Sequence, residues 1–191
     1  MLAVATAQPP RLGATRLVCV DGPAGSGKTT LAAALDTAAR AVGLTTGVVH
    51  GDDLLAGWSG LPGLAGSLAT ALAPLAEGRP GAYRRRDWVA DRWAEEVAVP
   101  VVDLLVVEGV GSGTPLLDGW RSVLVWVEAP RDLRLARGLA RDGEAFAPHW
   151  EAWARDEEAV QSADRTRERA DVLVDGTGAT SARARRRGPT R

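Results

Sequence analysis

The stretch RLVCVDGPAGSGKTT, residues 16–30, decides how the rest of the chain is read. Residues 16–20 are a short β-rich run that ends at Asp21-Gly22, and from Lys28 the sequence turns rich in Ala and Leu, helical in pattern, until Gly43. Between them lies Gly22-Pro23-Ala24-Gly25-Ser26-Gly27-Lys28-Thr29, a full GxxxxGK[ST] loop. Such a loop works because its backbone N–H groups converge on phosphate oxygens and the following helix presents its positive end to them. Gly22, Gly25 and Gly27 let the backbone curl, with Ala24, Ser26 and Thr30 completing the cradle. Lys28 is spaced to reach the β and γ phosphates, and the Thr29 hydroxyl to ligate Mg²⁺. ATP and Mg²⁺ are the expected cofactors.

Lys28 is the sole lysine of the chain, against 22 arginines. Where any positive charge would serve, the chain uses Arg; inside a tight loop around phosphate it has the compact ammonium instead. A guanine-specifying Asn/Thr-Lys-x-Asp motif therefore cannot exist, which argues against a GTPase.

Working outward, the rest of the sequence fits one α/β domain of 191 residues. Short strands are expected over 47–50, 101–107, 123–127 and 170–174, alternating with helices over 67–77, 87–97, 130–141 and 150–169. Short apolar strands between helices predict a doubly wound, five-stranded parallel sheet covered by helices on both faces, with a short helical lid. Ligands in such sheets sit at the carboxyl ends of the strands. The residues there are the phosphate loop, Asp52-Asp53, Glu108 and Asp175-Gly176. Residues 1–15 read as a loose leader, 16–178 as the domain and 179–191 as a basic tail.

The formal net charge is −1, but Arg183, Arg185, Arg186, Arg187 and Arg191 crowd the tail and leave the body at −6. A solvated, disordered tail is expected, and nucleic acid is not the expected partner. No apolar run is long enough for a membrane helix. The single cysteine, Cys19, excludes an internal disulfide and reads as core, in keeping with a cytoplasmic setting. A homo-oligomer is compatible with these features.

An acid at the end of an apolar strand is the second part of a phosphate site, because it holds Mg²⁺. Asp103 lies at the amino end of its strand, roughly 15 Å from the other end at about 3.3 Å per residue. Glu108 lies at the carboxyl end and is the candidate.

With these elements in place, DGPAGSGKTT, the Asp52-Asp53 pair, VVEG at 106–109 and the Arg134, Arg137, Arg141-Asp142 helix resemble the uridine kinase and nicotinamide riboside kinase family over roughly residues 16–175. The resemblance implies an ATP-dependent phosphotransferase with an alcohol group as acceptor, most of all a nucleoside. It makes Asp52 the base that takes the acceptor's proton, with Asp53 beside it. It makes Asp87 a reader of ribose hydroxyls and Arg92 a substrate contact, and it makes Arg134, Arg137 and Arg141 lid arginines. The last two face phosphate and share the catalytic work with Lys28 and Asp52.

Read from the residues alone, other roles stay open. Arg134, Arg137 and Arg141 share one helix face, which either meets an anion or is solvated. Asp52 or Asp53 could cap the next helix, and Asp87 could pair with the arginines before it. The chain departs from the family after its acid pair, with Leu54-Leu55-Ala56-Gly57-Trp58, and at Arg86-Asp87, where the family has Tyr-Asp. Both changes fall in the acceptor pocket. Trp58, Trp88 or Trp93 could stack on a flat ring there. Another metabolite as acceptor, or a nucleotide-dependent binding module, are the rival readings; the expected partner is a small molecule with a hydroxyl group.

Overall fold

The computed structural model describes residues 1–143 and 149–184. A short helix α1 (Leu2–Thr6) precedes strand β1 (Arg16–Asp21), helix α2 (Lys28–Ala41), strand β2 (Thr46–His50) and helix α3 (Leu64–Ala76). Two strands follow, β3 (Gly81–Asp87) and β4 (Arg92–Val99), then β5 (Leu104–Glu108) and β6 (Arg121–Glu128). Helices α4 (Arg131–Asp142), α5 (Trp150–Asp164) and α6 (Thr166–Arg169) lead to β7 (Val172–Asp175) and β8 (Arg183–Ala184).

The main sheet has the order β2-β5-β1-β6-β7-β8; its first five strands are parallel, as the alternating sequence predicts. The sixth, β8, is antiparallel to β7 and lies in the tail, so Arg183 is paired into the sheet. Arg185, Arg186, Arg187 and Arg191 lie outside the described residues.

Alternation along the strands divides the core in two. Val18, Val20, Val106, Val123 and Val125 face α1 and α2, meeting Ala5, Ala32, Leu35 and Ala39. Leu17, Cys19, Leu105, Val107 and Leu124 face the other way, onto Leu68, Leu72 and Leu75 of α3 and Trp153 of α5. Cys19 is fully buried, and burial pushes its thiol up to about 12, which makes it inert.

Two expectations change. Residues 87–97, read as a helix, form most of a two-stranded antiparallel hairpin with β3, in register Gly81↔Val99, Tyr83↔Val97 and Arg84↔Glu96. Cross-strand chemistry decides this: Arg85 Nε donates to Glu95 Oε1 at 2.7 Å, and the Arg86 guanidinium lies 5.7 Å from the Trp93 ring centre. Tertiary pairing overrides a helical spacing when the partner strand is supplied. The hairpin is pressed onto α3, where a Cβ on Gly81 would come within 1.9 Å of the Ala71 carbonyl oxygen.

The second concerns residues 1–15, which pack instead of trailing. Ala5 and Leu12 are fully buried, the Pro9 carbonyl accepts from the Ser122 hydroxyl, and the Gln8 carbonyl accepts from Arg16 Nε. The apolar residues of the leader cover the middle of the sheet beside α2, with α1 against β1 and β6, which no local pattern announces. Among the described residues, no helix is long and apolar enough to cross a membrane.

Candidate active site

The parallel sheet brings the carboxyl ends of β1, β2 and β5 side by side: Glu108 is in register with both Val20 and His50. The loop from Gly22 to Gly27, the turn after β2 and the end of β5 therefore open into one cavity of about 1030 Å³. Its phosphate end is formed by Ala24, Gly25, Gly27, Lys28, Thr29 and Thr30, with Arg137 and Arg141 of α4 across from them.

The loop's shape needs glycine at two places above all. Gly22 has φ +148°, and a Cβ there would sit 2.0 Å from the Val127 carbonyl oxygen. Gly25 has φ +73°, and a Cβ would sit 2.4 Å from the Arg134 carbonyl oxygen. Lys28 is buried at the start of α2, and its Nζ donates to the Pro23 carbonyl at 3.0 Å, which folds the ammonium back over the loop. Ser26 is fully buried, and Gly176 after β7 presses on it: a Cβ on Gly176 would meet the Ser26 carbonyl oxygen at 1.8 Å.

Asp21, fully buried at the end of β1, was not singled out by the sequence. Its carboxylate accepts from the Gly22 N–H at 2.6 Å, Gly111 at 3.0 Å and Gly113 at 2.9 Å. Burial raises its pKa, and those three N–H groups and Lys28 oppose the rise. Asp21 ties the start of the phosphate loop to the turn after β5.

Glu108 is almost wholly buried, and its Oε1 accepts from the Thr29 hydroxyl at 3.1 Å. The same oxygen lies 2.7 Å from His50 Nδ1, and that hydrogen bond raises the His50 pKa against the opposing effect of burial. The hydroxyl and carboxylate side by side beneath Lys28 are hard oxygen donors of the kind Mg²⁺ takes, so Thr29 and Glu108 fit that ion. His50 is an addition that the sequence did not flag. Asp103, at the opposite end of β5, accepts from the Thr45 N–H and hydroxyl, far from the cavity.

The other end of the cavity is lined by Asp52, Asp53, Leu55, Trp58, Trp88, Val89, Val110, His149 and Trp153. Asp52 is open to the cavity yet crowded by protein on its other sides. Loss of solvation raises its pKa, Lys28 pulls it down, and Glu108 adds to the rise. Asp53 is half-buried, accepts from the Tyr83 hydroxyl at 3.3 Å, and also has a pKa raised by burial. Both acids sit in a single turn of 3₁₀ helix, Gly51–Leu54, with no side-chain cap bond. The Trp58 ring stacks on His149 with centres 4.5 Å apart and meets Trp88 and Trp153 edge-on. The Trp88 indole N–H donates to the Asp52 carbonyl, fixing the wall to the acid-bearing turn.

Three expected contacts lie elsewhere. Asp87 turns into its own hairpin, where Oδ1 accepts from the Val89 and Ala90 N–H groups, and it does not line the cavity. Arg92 pairs with it in register at the hairpin's end and is exposed. Arg134 donates to the carbonyls of Ala129 and Ala24, bracing the loop from behind. Arg137 does line the cavity, with its guanidinium bridging the Gly25 and Gly176 carbonyls. Of the tryptophans considered for stacking, Trp58 and Trp88 reach the cavity and Trp93 does not.

A parallel sheet of order β2-β5-β1-β6-β7, a phosphate loop after β1 and helix α4 opposite define the P-loop NTPase fold. The same fold is seen in a structure described as a possible uridine kinase from Bacillus stearothermophilus. That structure matches with a TM-score of 0.61 at 20% identity, over 84% of this chain and 89% of the other. A candidate fructose transport system kinase from Silicibacter sp. TM1040 matches with a TM-score of 0.51 at 25% identity, over 80% and 86%. No protein-family model matches the sequence, and no curated protein matches it significantly.

Proposed function

We propose that the protein is an ATP- and Mg²⁺-dependent kinase that transfers the γ-phosphoryl group to a hydroxyl of a small molecule, with a nucleoside as the leading acceptor. The observation that carries this reading is a single cavity with Lys28, Thr29 and Glu108 at one end, Asp52 between, and an indole wall at the other. Bound Mg²⁺ would be held by Thr29 and, directly or through water, by Glu108, and would neutralise charge on the phosphates.

The chain's own groups then have distinct tasks. The loop amides and Lys28 hold the phosphates, and Arg137 and Arg141 offset charge from the lid side. Asp52 accepts the hydroxyl proton as the acceptor oxygen bonds to the γ-phosphorus. The bond from that phosphorus to the bridging oxygen breaks, and ADP leaves with the electron pair. A carboxylate whose pKa is raised by crowding is a better base near neutral pH than an ordinary one. The indole wall of Trp58, Trp88 and Trp153 suits a flat ring.

A second reading, a kinase for an acceptor without a ribose diol, is favoured by one observation: Asp87 and Arg92 lie outside the cavity wall. Measuring ADP release with ATP against a panel of nucleosides, sugars and other alcohols separates the two. Asp52→Asn should keep ATP affinity within a few-fold and lower turnover by about 100- to 10,000-fold. Near-normal turnover in that variant overturns the base assignment, and flat ADP release across the whole panel overturns the kinase reading in favour of a nucleotide-dependent binding module.

A further inference from the structure

Glu157, on α5, is distant in sequence from the phosphate loop but touches it. The residue is 2% exposed. One oxygen, Oε1, accepts two N–H groups: the Ala24 backbone at 2.5 Å and the Trp153 indole at 2.8 Å. The other, Oε2, lies 3.8 Å from Arg134 Nη1, and that same nitrogen donates to the Ala24 carbonyl at 3.3 Å. Both polar groups of Ala24 are thus held from outside the loop, its N–H by α5 and its carbonyl by α4.

A buried carboxylate is costly to hold without partners, so one set against the glycine-rich loop calls for a role. The partners offset part of that cost: two N–H donors and a nearby guanidinium, with further attraction from the Lys28 ammonium. Burial still holds the Glu157 pKa above the ordinary carboxylate value. Trp153 gives the arrangement a second consequence. Its ring is part of the cavity's acceptor wall, and its N–H ends on the oxygen that holds the phosphate loop. One carboxylate oxygen therefore links the surface an acceptor would rest on to the loop a triphosphate would occupy.

We propose that Glu157 is a positioning residue that fixes the phosphate loop through Ala24 and couples it, through the Trp153 indole, to the acceptor wall. This rests on the reading of the cavity as a triphosphate and acceptor site. Glu157 itself touches neither ligand. It sets the loop's shape before the nucleotide arrives, so that less ordering is left to the binding step. The same link makes the Trp153 environment report on the loop's occupancy.

The test uses the full chain with Mg-ATP as the probe, reading affinity by calorimetry and tryptophan emission in parallel. Glu157→Ala should bind Mg-ATP about tenfold more weakly while its far-ultraviolet circular dichroism stays that of the wild type. Glu157→Gln keeps a carbonyl oxygen for the two N–H donors and should recover affinity to within about threefold. Mg-ATP should change the emission of the wild type and of Glu157→Gln, and the change should be at least halved in Trp153→Phe, with Trp58 and Trp88 of the same cavity supplying what remains. Wild-type affinity in a folded Glu157→Ala overturns the positioning role, and an emission change undiminished in Trp153→Phe overturns the coupling. If Glu157→Ala does not fold, the Gln and Phe variants still decide, because the coupling requires the full emission change in one and its reduction in the other. A wild-type protein that binds no Mg-ATP overturns the site reading itself, and the coupling with it.

Discussion

The two ends of the cavity are built in different ways. The end proposed for the phosphates comes mostly from residues 22–30, one uninterrupted segment that follows β1 and runs into α2. The acceptor end is assembled from the turn after β2, the tip of the β3–β4 hairpin, the turn after β5 and the start of α5. A contiguous loop keeps its geometry as long as its neighbours hold it. A wall gathered from four segments changes shape when any one of them shifts, so the acceptor is the part of the chemistry most easily altered without loss of the phosphate site.

The sharpest way to break this contrast is at Lys28. Lys28→Ala should lower turnover by about 100- to 1000-fold for every acceptor alike, since it removes charge stabilisation from the transferring group. A loss confined to some acceptors in steady-state kinetics would contradict the separation of the two ends. Trp58→Ala should act on the other end only. It opens the stacked contact with His149 and should raise the acceptor KM by about tenfold, with the KM for ATP unchanged. An equal rise in both constants would mean that the aromatic wall supports the loop instead of the acceptor.

Smaller effects sharpen the boundary of the acceptor end. Asp87 caps the hairpin turn that carries Trp88 and Val89, so Asp87→Ala should loosen that tip and raise the acceptor KM only indirectly, by about threefold and less than Trp58→Ala does. A strong rise in that KM would put Asp87 on the substrate after all. Least of all should come from Asp36→Asn, on the far side of α2. Asp36 accepts from Arg40 and from the Thr46 hydroxyl, and the Arg40 hydrogen bond is the main cause holding its pKa below the ordinary carboxylate value. A lowered pKa stabilises the fold above the unfolded-state value and ceases to do so as pH falls through the folded one. The variant should therefore melt about 1–3 °C lower near pH 7, and the gap should close in acid, with turnover untouched.

The same contrast explains what could be read in advance. Gly22, Gly25, Gly27, Lys28 and Thr29 were legible because the motif's spacing is the geometry: each residue's task is set by its distance along one loop. Glu108 was legible because strand ends are where a parallel sheet places ligands, and Asp52 because it follows the next such strand. Asp21 and Glu157 were missed. The first looks like any acid at a strand end until three N–H groups close around it, and the second sits in a run of charged residues on a helix. The residues expected at 87 and 92 were assigned on a helix, and the hairpin that replaces it turns Asp87 into its own loop.

By itself, then, the sequence determined the phosphate loop, the five parallel strands and the acids at two of their ends, because these depend on short-range spacing and on the alternation of apolar residues. Only the tertiary structure decided that residues 81–99 pair as a hairpin, that Trp58, Trp88, His149 and Trp153 meet around one space, and that a carboxylate on α5 grips Ala24. Those contacts join residues far apart in the chain. Their energy comes from burial and hydrogen bonds that exist only once the chain has folded, and no local pattern encodes them.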